Sequence, residues 1–309
     1  MRTRFRPDRQ LTTRMAVVVF LLGLVYVAFV AALVVLLKSV VAIVVIAGGL
    51  LFAQYFFSDR IALTAMRAKE VTPEQEPRLH GVIDRLCATA NMPKPRVAVA
   101  DTDLPNAFAT GRNTKRAVVC VTTGLMRRLD NRELEGVLSH ELSHIAHRDV
   151  VVMTVASFLG VLAGLVTRFA FYSGMFNDRR RGRDNDQTFL IVILVMLVSA
   201  VVYALSYLLI RALSRYRELA ADRAGAQLTG RPSALASALV KVSDDIRAIP
   251  DRDLRQAQAF NAFFFAPALG TRASLSSLLS THPSLQQRLD QLAKIANEMG
   301  EATPSSWDS

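Results

Sequence analysis

Four uncharged apolar stretches constrain this chain more than any other feature. Residues 15–37 run 23 positions without a charge, 39–57 run 19, 150–167 run 18 and 188–210 run 23. Each is long enough to cross a hydrocarbon core about 30 Å thick as a helix rising about 1.5 Å per residue. They come as two close pairs, so the chain is expected to build two transmembrane hairpins. The remaining sequence suits one folded domain outside the bilayer. The division is then a basic head at 1–14, a hairpin at 15–57, half of the outer domain at 58–149, a second hairpin at 150–210, and the other half at 211–309.

Charge assigns a direction to these hairpins. The head carries Arg2, Arg4, Arg6, Arg9 and Arg14 against Asp8 alone, and basic flanks remain on the cytoplasmic side. Lys38 becomes the outer tip of the first hairpin, and everything after Phe57 starts in the cytoplasm, which implies a multi-pass protein of the cell's inner (plasma) membrane. A cleaved signal peptide does not fit: the first stretch is too long for one, has no small-residue cleavage site, and a second span follows after one lysine. The loop at 168–187 is net basic as well, with Arg168, Arg179, Arg180, Arg181 and Arg183 against Asp178, Asp184 and Asp186. Either the second hairpin enters without crossing, or the arginine-rich head dominates orientation. Part of the net charge of +11 is thus a topology signal, and no nucleic-acid motif accompanies it, so no nucleic-acid partner is expected. Two cysteines, Cys87 and Cys120, cannot form a disulfide framework and read as buried thiols in a reducing compartment.

Between the hairpins, Thr72-Pro73 followed by Leu79, Val82, Ile83 and Leu86 predicts an amphipathic helix. Residues 96–100 and 117–122 are β-rich runs joined by a polar stretch with Gly111, the material of a small sheet. Further helices are expected at 214–229, 232–249 and 283–299, the first and last ended by Gly230 and Gly300.

Asp130 to Glu133 has the spacing of a capping box, and Leu134, Val137, Leu138, Leu142 and Ile145 continue at helical period. On that helix lie His140, Glu141 and His144. Positions i and i+4 share a face, so two imidazoles can meet one metal ion. Glu141 follows the first ligand directly, as a general base for an attacking water must. Arg132, Glu133, Glu135, Arg148 and Asp149 flank the motif, so its helix is amphipathic rather than membrane-embedded. A catalytic zinc takes three protein ligands and leaves a fourth position open. A third ligand at position 150 would need histidine, and the residue is Val150. Glu218 and Asp222 share a helix face just beyond the fourth apolar stretch, so one can bind metal while the other orients a histidine. The neighbouring Arg215, Arg217 and Arg223 equally allow ordinary salt bridges. A hairpin between the third and fourth stretches would bring His144 and Glu218 out on one side, roughly 10 Å beyond the apolar boundary.

The sequence His140-Glu141-Leu142-Ser143-His144, the run Glu218-Leu219-Ala220-Ala221-Asp222, the stretch from Pro105 to Gly111, and Thr281-His282-Pro283 together resemble the HtpX family. These are membrane-bound zinc metallopeptidases related to the CAAX prenyl endoproteases. The similarity covers nearly the whole chain. It implies a mainly α membrane protein, with two transmembrane hairpins and a zincin-like α+β metallopeptidase domain with a small sheet. It implies Zn2+, one per subunit, held by His140, His144 and Glu218, with Glu141 as base. It further implies a cytoplasmic catalytic domain that degrades misfolded or damaged membrane proteins, in cooperation with the FtsH protease. The arginine-rich insert at 168–187 departs from the family pattern.

Other residues take roles beside this centre. Asn106 and Ala107 are candidates for backbone contacts to an extended substrate along an edge strand, with a plain hairpin turn as the alternative. His282 is a candidate donor to the oxyanion formed on the peptide carbonyl, or else a local cap with Thr281. Asp222 is assigned to orienting an imidazole. Phe263, Phe264 and Phe265 read as core or as an apolar lip at the membrane surface. A metal transporter would carry its ligands inside the spans, and none of the five histidines lies there.

Overall fold

The computed structural model describes residues 9–37, 48–49, 52, 56–57, 60, 62–111, 113–149, 151–154, 156–158, 162–164, 186–248 and 282–301. Most of the second apolar stretch, the loop at 168–185, Phe263 to Phe265 and Thr281 lie outside the described residues.

Helix α1 (Arg9–Leu37) carries the first apolar stretch. Helix α2 (Pro77–Ala90) buries Leu79, Val82, Ile83 and Leu86, the stripe its 3.6-residue period predicts. It begins at Pro77 rather than at Thr72. Proline disfavours helical geometry in the residue before it, so Glu76 is non-helical at φ −132° and ψ 66°, and residues 73–75 form a separate turn. Asn91, in the left-handed conformation, ends the helix.

The sheet has four strands, β1 (Lys69–Glu70), β2 (Arg96–Ala100), β3 (Ala107–Thr110) and β4 (Val118–Thr122), in the order β1-β2-β4-β3. The two β-rich runs are not a hairpin. They pair in parallel, Arg96 opposite Val118 and Ala100 opposite Thr122. The stretch from Asn106 to Gly111 between them, read as either substrate strand or turn, forms antiparallel edge strand β3 on β4, with Ala107 opposite Val121 and Thr110 opposite Val118. Gly111 makes that return possible: its φ is 121°, and a Cβ there would lie 2.5 Å from the Arg116 carbonyl oxygen.

Helix α3 (Thr123–Arg128) follows, capped by the Thr122 hydroxyl. Helix α4 (Asn131–Ala146) has the anticipated reciprocal capping box between Asp130 and Glu133. Helix α5 (Asp186–Thr229) is a single run of 44 residues, about 66 Å long. The fourth apolar stretch and the expected helix from 214 are therefore one element. No glycine or proline interrupts residues 186–224, and the polar segment simply extends the membrane helix by further turns. Helices α6 (Pro232–Ala248) and α7 (Leu285–Met299) complete the chain. Ser284 caps α7 in a box with Gln287, which leaves Pro283 just ahead of the helix rather than inside it.

Two bodies of apolar contact position the site, besides a cluster of Ala62, Ala98, Ala100, Phe108, Val118 and Cys120 on the other sheet face. The larger core joins α2, α4, α6, α7 and one sheet face, with Leu79, Leu134, Leu138, Leu142, Leu239 and Leu292 at its centre. The smaller consists of α1, the helix Val151–Gly164 and α5. Val18 and Leu22 of α1 meet Ala156 and Leu213, while Phe29 meets Phe158, Leu162, Val195 and Val202. Hence α1 runs antiparallel to α5, and its basic start lies level with the end of α5 that enters the outer domain. Arg9–Ala32 and Ile193–Thr229 are long and apolar enough to cross a membrane, and a third span would combine α4 with Val151–Gly164, bent by 62°. Exposed Phe20, Leu24, Val27, Leu190, Leu197 and Val201 on these helices suit lipid contact.

Candidate metal centre

Helix α4 delivers His140, Glu141 and His144 from a rigid base. The Asp130 carboxylate accepts hydrogen bonds from the Arg132 and Glu133 backbone N–H groups at 2.7 and 2.9 Å. Glu133 is buried, accepting the Ser237 hydroxyl at 2.7 Å and pairing with Lys241 at 2.6 Å, so the helix start is pinned to α6. Helix α5 crosses α4 closely where Gly225 faces the His140 turn, and the Ser139 hydroxyl donates to the Gly225 carbonyl at 3.1 Å. Glu218 and Asp222 precede Gly225 on that contact stripe by about two turns and one turn.

His140, His144 and Glu218 each offer a ligand atom within 4.8 Å of the others, and all three residues are buried. His140 Nε2 and His144 Nε2 are 3.2 Å apart, and the Glu218 oxygens lie 3.6 Å from the first and 3.5 Å from the second. A tetrahedral metal with bonds of about 2.0–2.1 Å separates its ligand atoms by about 3.4 Å. The triangle therefore matches one face of such a tetrahedron, with the fourth corner left for substrate or water. Three acceptor atoms gathered this tightly in a buried place fit a divalent cation among them.

The outer nitrogens are equally organised. His140 Nδ1 lies 2.8 Å from Asp222 Oδ1, and Arg288 donates to both Asp222 oxygens at 2.7 and 2.6 Å. His144 Nδ1 lies 2.6 Å from Asp149 Oδ2, and Arg217 Nε lies 3.1 Å from Asp149 Oδ1. A carboxylate on Nδ1 fixes the tautomer that turns the Nε2 lone pair inward.

The electrostatics of the site favour a cation. Burial by itself lowers the His140 pKa, but hydrogen bonds to Asp222 and Glu218 outweigh it and raise the value to about 9. Burial acts to raise the Glu218 pKa, yet the charge of His282 and hydrogen bonds from His140 and His282 hold it well below the usual carboxylate range. Glu141 goes the other way: burial dominates and raises its pKa, while the nearby histidines and the Ala109 N–H resist. A carboxyl so tuned is suited to carrying a proton during turnover.

The edge strand supplies that Ala109 contact. Asn106 is fully buried. Its N–H donates to the Thr122 hydroxyl, and its carbonyl accepts from the Thr122 N–H and hydroxyl at 2.9 and 3.1 Å. Its backbone is thus engaged on the sheet side. Alternation then turns the backbone groups of Ala107 and Ala109 toward the outer edge, beside Glu141. Ala107 itself is 1% exposed. His282 is buried with Nδ1 3.3 Å from a Glu218 oxygen. It stands at the centre, while the α7 cap is Ser284. His147 caps the end of α4 and stands outside the metal cluster.

Sequence reading does not single out Arg288, Asp149 or Arg217 for these roles. Arg288 carries a signal: it occupies the stripe of Leu285, Leu289, Leu292 and Ile295, where an apolar residue is expected, and is 1% exposed. Asp149 reads in the sequence as a mere flank of the motif helix. Arg217 pairs with Asp149 and Arg223 with Glu298 at 3.2 Å, and Asp222 takes its arginine from α7.

Comparison with known proteins places this arrangement. The family described as Peptidase family M48 matches residues 73–296. Protease HtpX homolog 1 of Streptomyces coelicolor is 65% identical over 302 residues, covering 98% of each chain. The Protease HtpX homolog of Moorella thermoacetica is 52% identical over 302 residues, covering 97% of this chain and 99% of that one. The crystal structure of S. mikatae Ste24p is similar in fold, with a TM-score of 0.53 at 17% identity over 87% of this chain and 62% of that chain. With a family match across most of its length and full-length relatives at this identity, the chain belongs to peptidase family M48 as an HtpX-type membrane metalloprotease.

Proposed function

We propose that this protein is a zinc endopeptidase of the inner membrane, multi-pass, which hydrolyses misfolded or damaged membrane proteins from the cytoplasmic side. The observation that carries the chemistry is the 3.2–3.6 Å triangle of His140, His144 and Glu218, with Glu141 on the same helix. Two imidazoles and one carboxylate suit zinc above harder or softer cations. Zinc chemistry at such a centre is polarisation of the scissile carbonyl and acidification of a water.

The protein's own groups complete the reaction. Glu141 takes the proton of the attacking water and passes it to the leaving amine. His282, beside Glu218, donates to the oxygen on which negative charge develops. Substrate lies extended along β3, using the outward backbone groups of Ala107 and the Ala109 carbonyl, while the Ala109 N–H serves Glu141. Orientation rests on the basic start of α1, which is level with the metal centre. Arg14 stands over the Tyr216 ring at 5.8 Å, two residues before Glu218. The positive-inside rule then puts the centre in the cytoplasm. Because α5 is continuous, Glu218 stands about 12 Å beyond the apolar stretch, within reach of membrane-protein segments leaving the bilayer. Cooperation with the FtsH protease in quality control under stress belongs to the same reading.

The test is Glu141→Gln in the full chain. The expected variant keeps one zinc per chain and loses about 10²–10⁴ in cleavage of an unfolded substrate such as casein. Cleavage at the parent rate with zinc retained would refute the assignment of the base.

A further inference from the structure

Each of the two ligand histidines, His140 and His144, has the same attachment behind it, a carboxylate and then an arginine. For His144 this attachment comes from outside the motif helix. Asp149 follows α4 at the 62° bend into the helix Val151–Gly164. Arg217 is on α5, one residue before Glu218. We propose that Asp149 and Arg217 are positioning residues of the metal centre, which orient His144 and pin its helix to α5.

Three observations carry this. First, the two Asp149 oxygens are divided between the partners: Oδ2 meets His144 Nδ1 at 2.6 Å and Oδ1 meets Arg217 Nε at 3.1 Å. The contact to Nδ1 selects the tautomer whose Nε2 lone pair faces Glu218 and His140, and a carboxylate there makes the ligand more basic. Second, the bend is shaped to deliver Asp149. Arg148 has φ 56°, a left-handed conformation uncommon outside glycine, and its carbonyl accepts the Val151 and Val152 N–H groups at 3.0 and 3.3 Å. That reversal starts the next helix while bringing Asp149 back toward His144. Third, Asp149 is 7% exposed and Arg217 9%. A buried ion pair gives little stability that a well-packed apolar pair would not, because desolvation offsets the attraction. Orientation of a ligand is a use that an apolar pair cannot serve. Just beneath, Val152 and Met153 adjoin Leu213 and Tyr216, so the ionic contact continues an apolar seam between the helices.

The inference rests on the zinc reading above, and the experiment separates the two. Full-length protein carrying Glu141→Gln, held in lipid nanodiscs, serves as parent. Zinc affinity is measured by chelator competition, and cobalt(II) is substituted to report ligand geometry from its visible spectrum. Asp149→Asn is expected to weaken zinc binding about 10–100-fold and to change the cobalt spectrum. The double variant Asp149→Asn/Arg217→Gln should be as weak, and Arg217→Gln alone less so, since its carboxylate still meets His144. A merely structural ion pair gives another order: Arg217→Gln worst, because it strands a buried charge, and the double variant restored. That order, or an Asp149→Asn protein with parental affinity and spectrum, overturns the inference. A parent that binds no zinc overturns the zinc reading and this inference with it. The double variant has no stranded charge, so it keeps the test readable if a single variant fails to fold.

Discussion

Gly225→Ala should destabilise this protein, although the same change in a helix normally does the reverse. Alanine is favoured over glycine within a helix by about 1 kcal/mol. At Gly225, however, a Cβ would stand 3.0 Å from the His140 backbone nitrogen, 3.2 Å from its Cα and 3.3 Å from the Ser139 carbonyl carbon. Ordinary carbon contacts lie at about 3.5–4.0 Å, so α4 and α5 must part by a few tenths of an ångström. Neither yields easily. The start of α4 is pinned through Glu133 to Ser237 and Lys241, and the atoms met are backbone rather than a side chain that can swing aside. Overpacking of this kind costs about 1–3 kcal/mol, which exceeds or cancels the helix gain and leaves a net loss of up to about 2 kcal/mol.

Gly81 on α2 is the matched control, since a Cβ added there would have nothing within 4 Å and the residue is exposed. Gly81→Ala should stabilise by about 0.5–1 kcal/mol. Thermal unfolding midpoints of the two variants in one detergent, with zinc removed, should move in opposite directions by about 2–4 °C per kcal/mol. Added zinc should then reveal a second loss in Gly225→Ala, because the displaced helix carries Glu218 and Asp222. If Gly225→Ala raises the midpoint as Gly81→Ala does, the close approach of the helices at His140 does not constrain the packing.

Two other outcomes follow from the same geometry. Arg288→Met leaves Asp222, which is 0% exposed, without its two-pronged partner; unfolding should show a loss of about 3–5 kcal/mol, and Arg288→Lys should recover little of it because an ammonium lacks the planar fork of two parallel N–H donors. Asp130→Ala should cost about 1 kcal/mol through loss of the α4 cap. The Glu133 and Arg132 N–H groups hold the Asp130 carboxyl below its ordinary pKa. That stabilisation is complete above the unfolded value and disappears as pH falls through the folded one. The gap between the denaturant midpoints of parent and Asp130→Ala should therefore be constant above about pH 4 and begin to close only below it, and a gap that stayed constant down to the acid limit of folding would refute the charge-based part of the cap.

What the sequence made legible was periodic or local. The apolar stretches, the capping box at Asp130, the shared face of His140 and His144, and the i,i+4 relation of Glu218 to Asp222 all follow from helix geometry. Features that depend on how elements meet were not legible. Strands β2 and β4 pair in parallel because β3 fills the connection as an edge strand, and alternation in the sequence does not distinguish that from a hairpin. The break at Glu76 was foreseeable from Pro77, but Thr72-Pro73 offered a competing start. The continuity of α5 shows the limit of a hydropathy boundary: polarity changes after Ile210, while the backbone, free of glycine and proline until Gly225, continues unbroken.

The metal site displays the same division most sharply. Its ligands lie on two helices and each helix announces its own share by spacing. The residues behind them come from afar, Arg288 standing 66 positions from Asp222. Yet both arginines that back the histidines are buried on faces that also carry apolar packing, Arg288 among Leu285, Leu289 and Leu292, and Arg217 near Leu213. A charged residue at such a position incurs desolvation that only a buried counter-charge offsets. Once a candidate metal site contains more carboxylates than ligands, as Asp222 beside Glu218 implies, the surplus acid and the misplaced arginine each call for a counter-charge. Matching one to the other is the signal by which a single sequence could have pointed to Arg288. Asp149 escapes this reasoning, because it lies at a bend in no helical stripe, and only the fold brings it to His144.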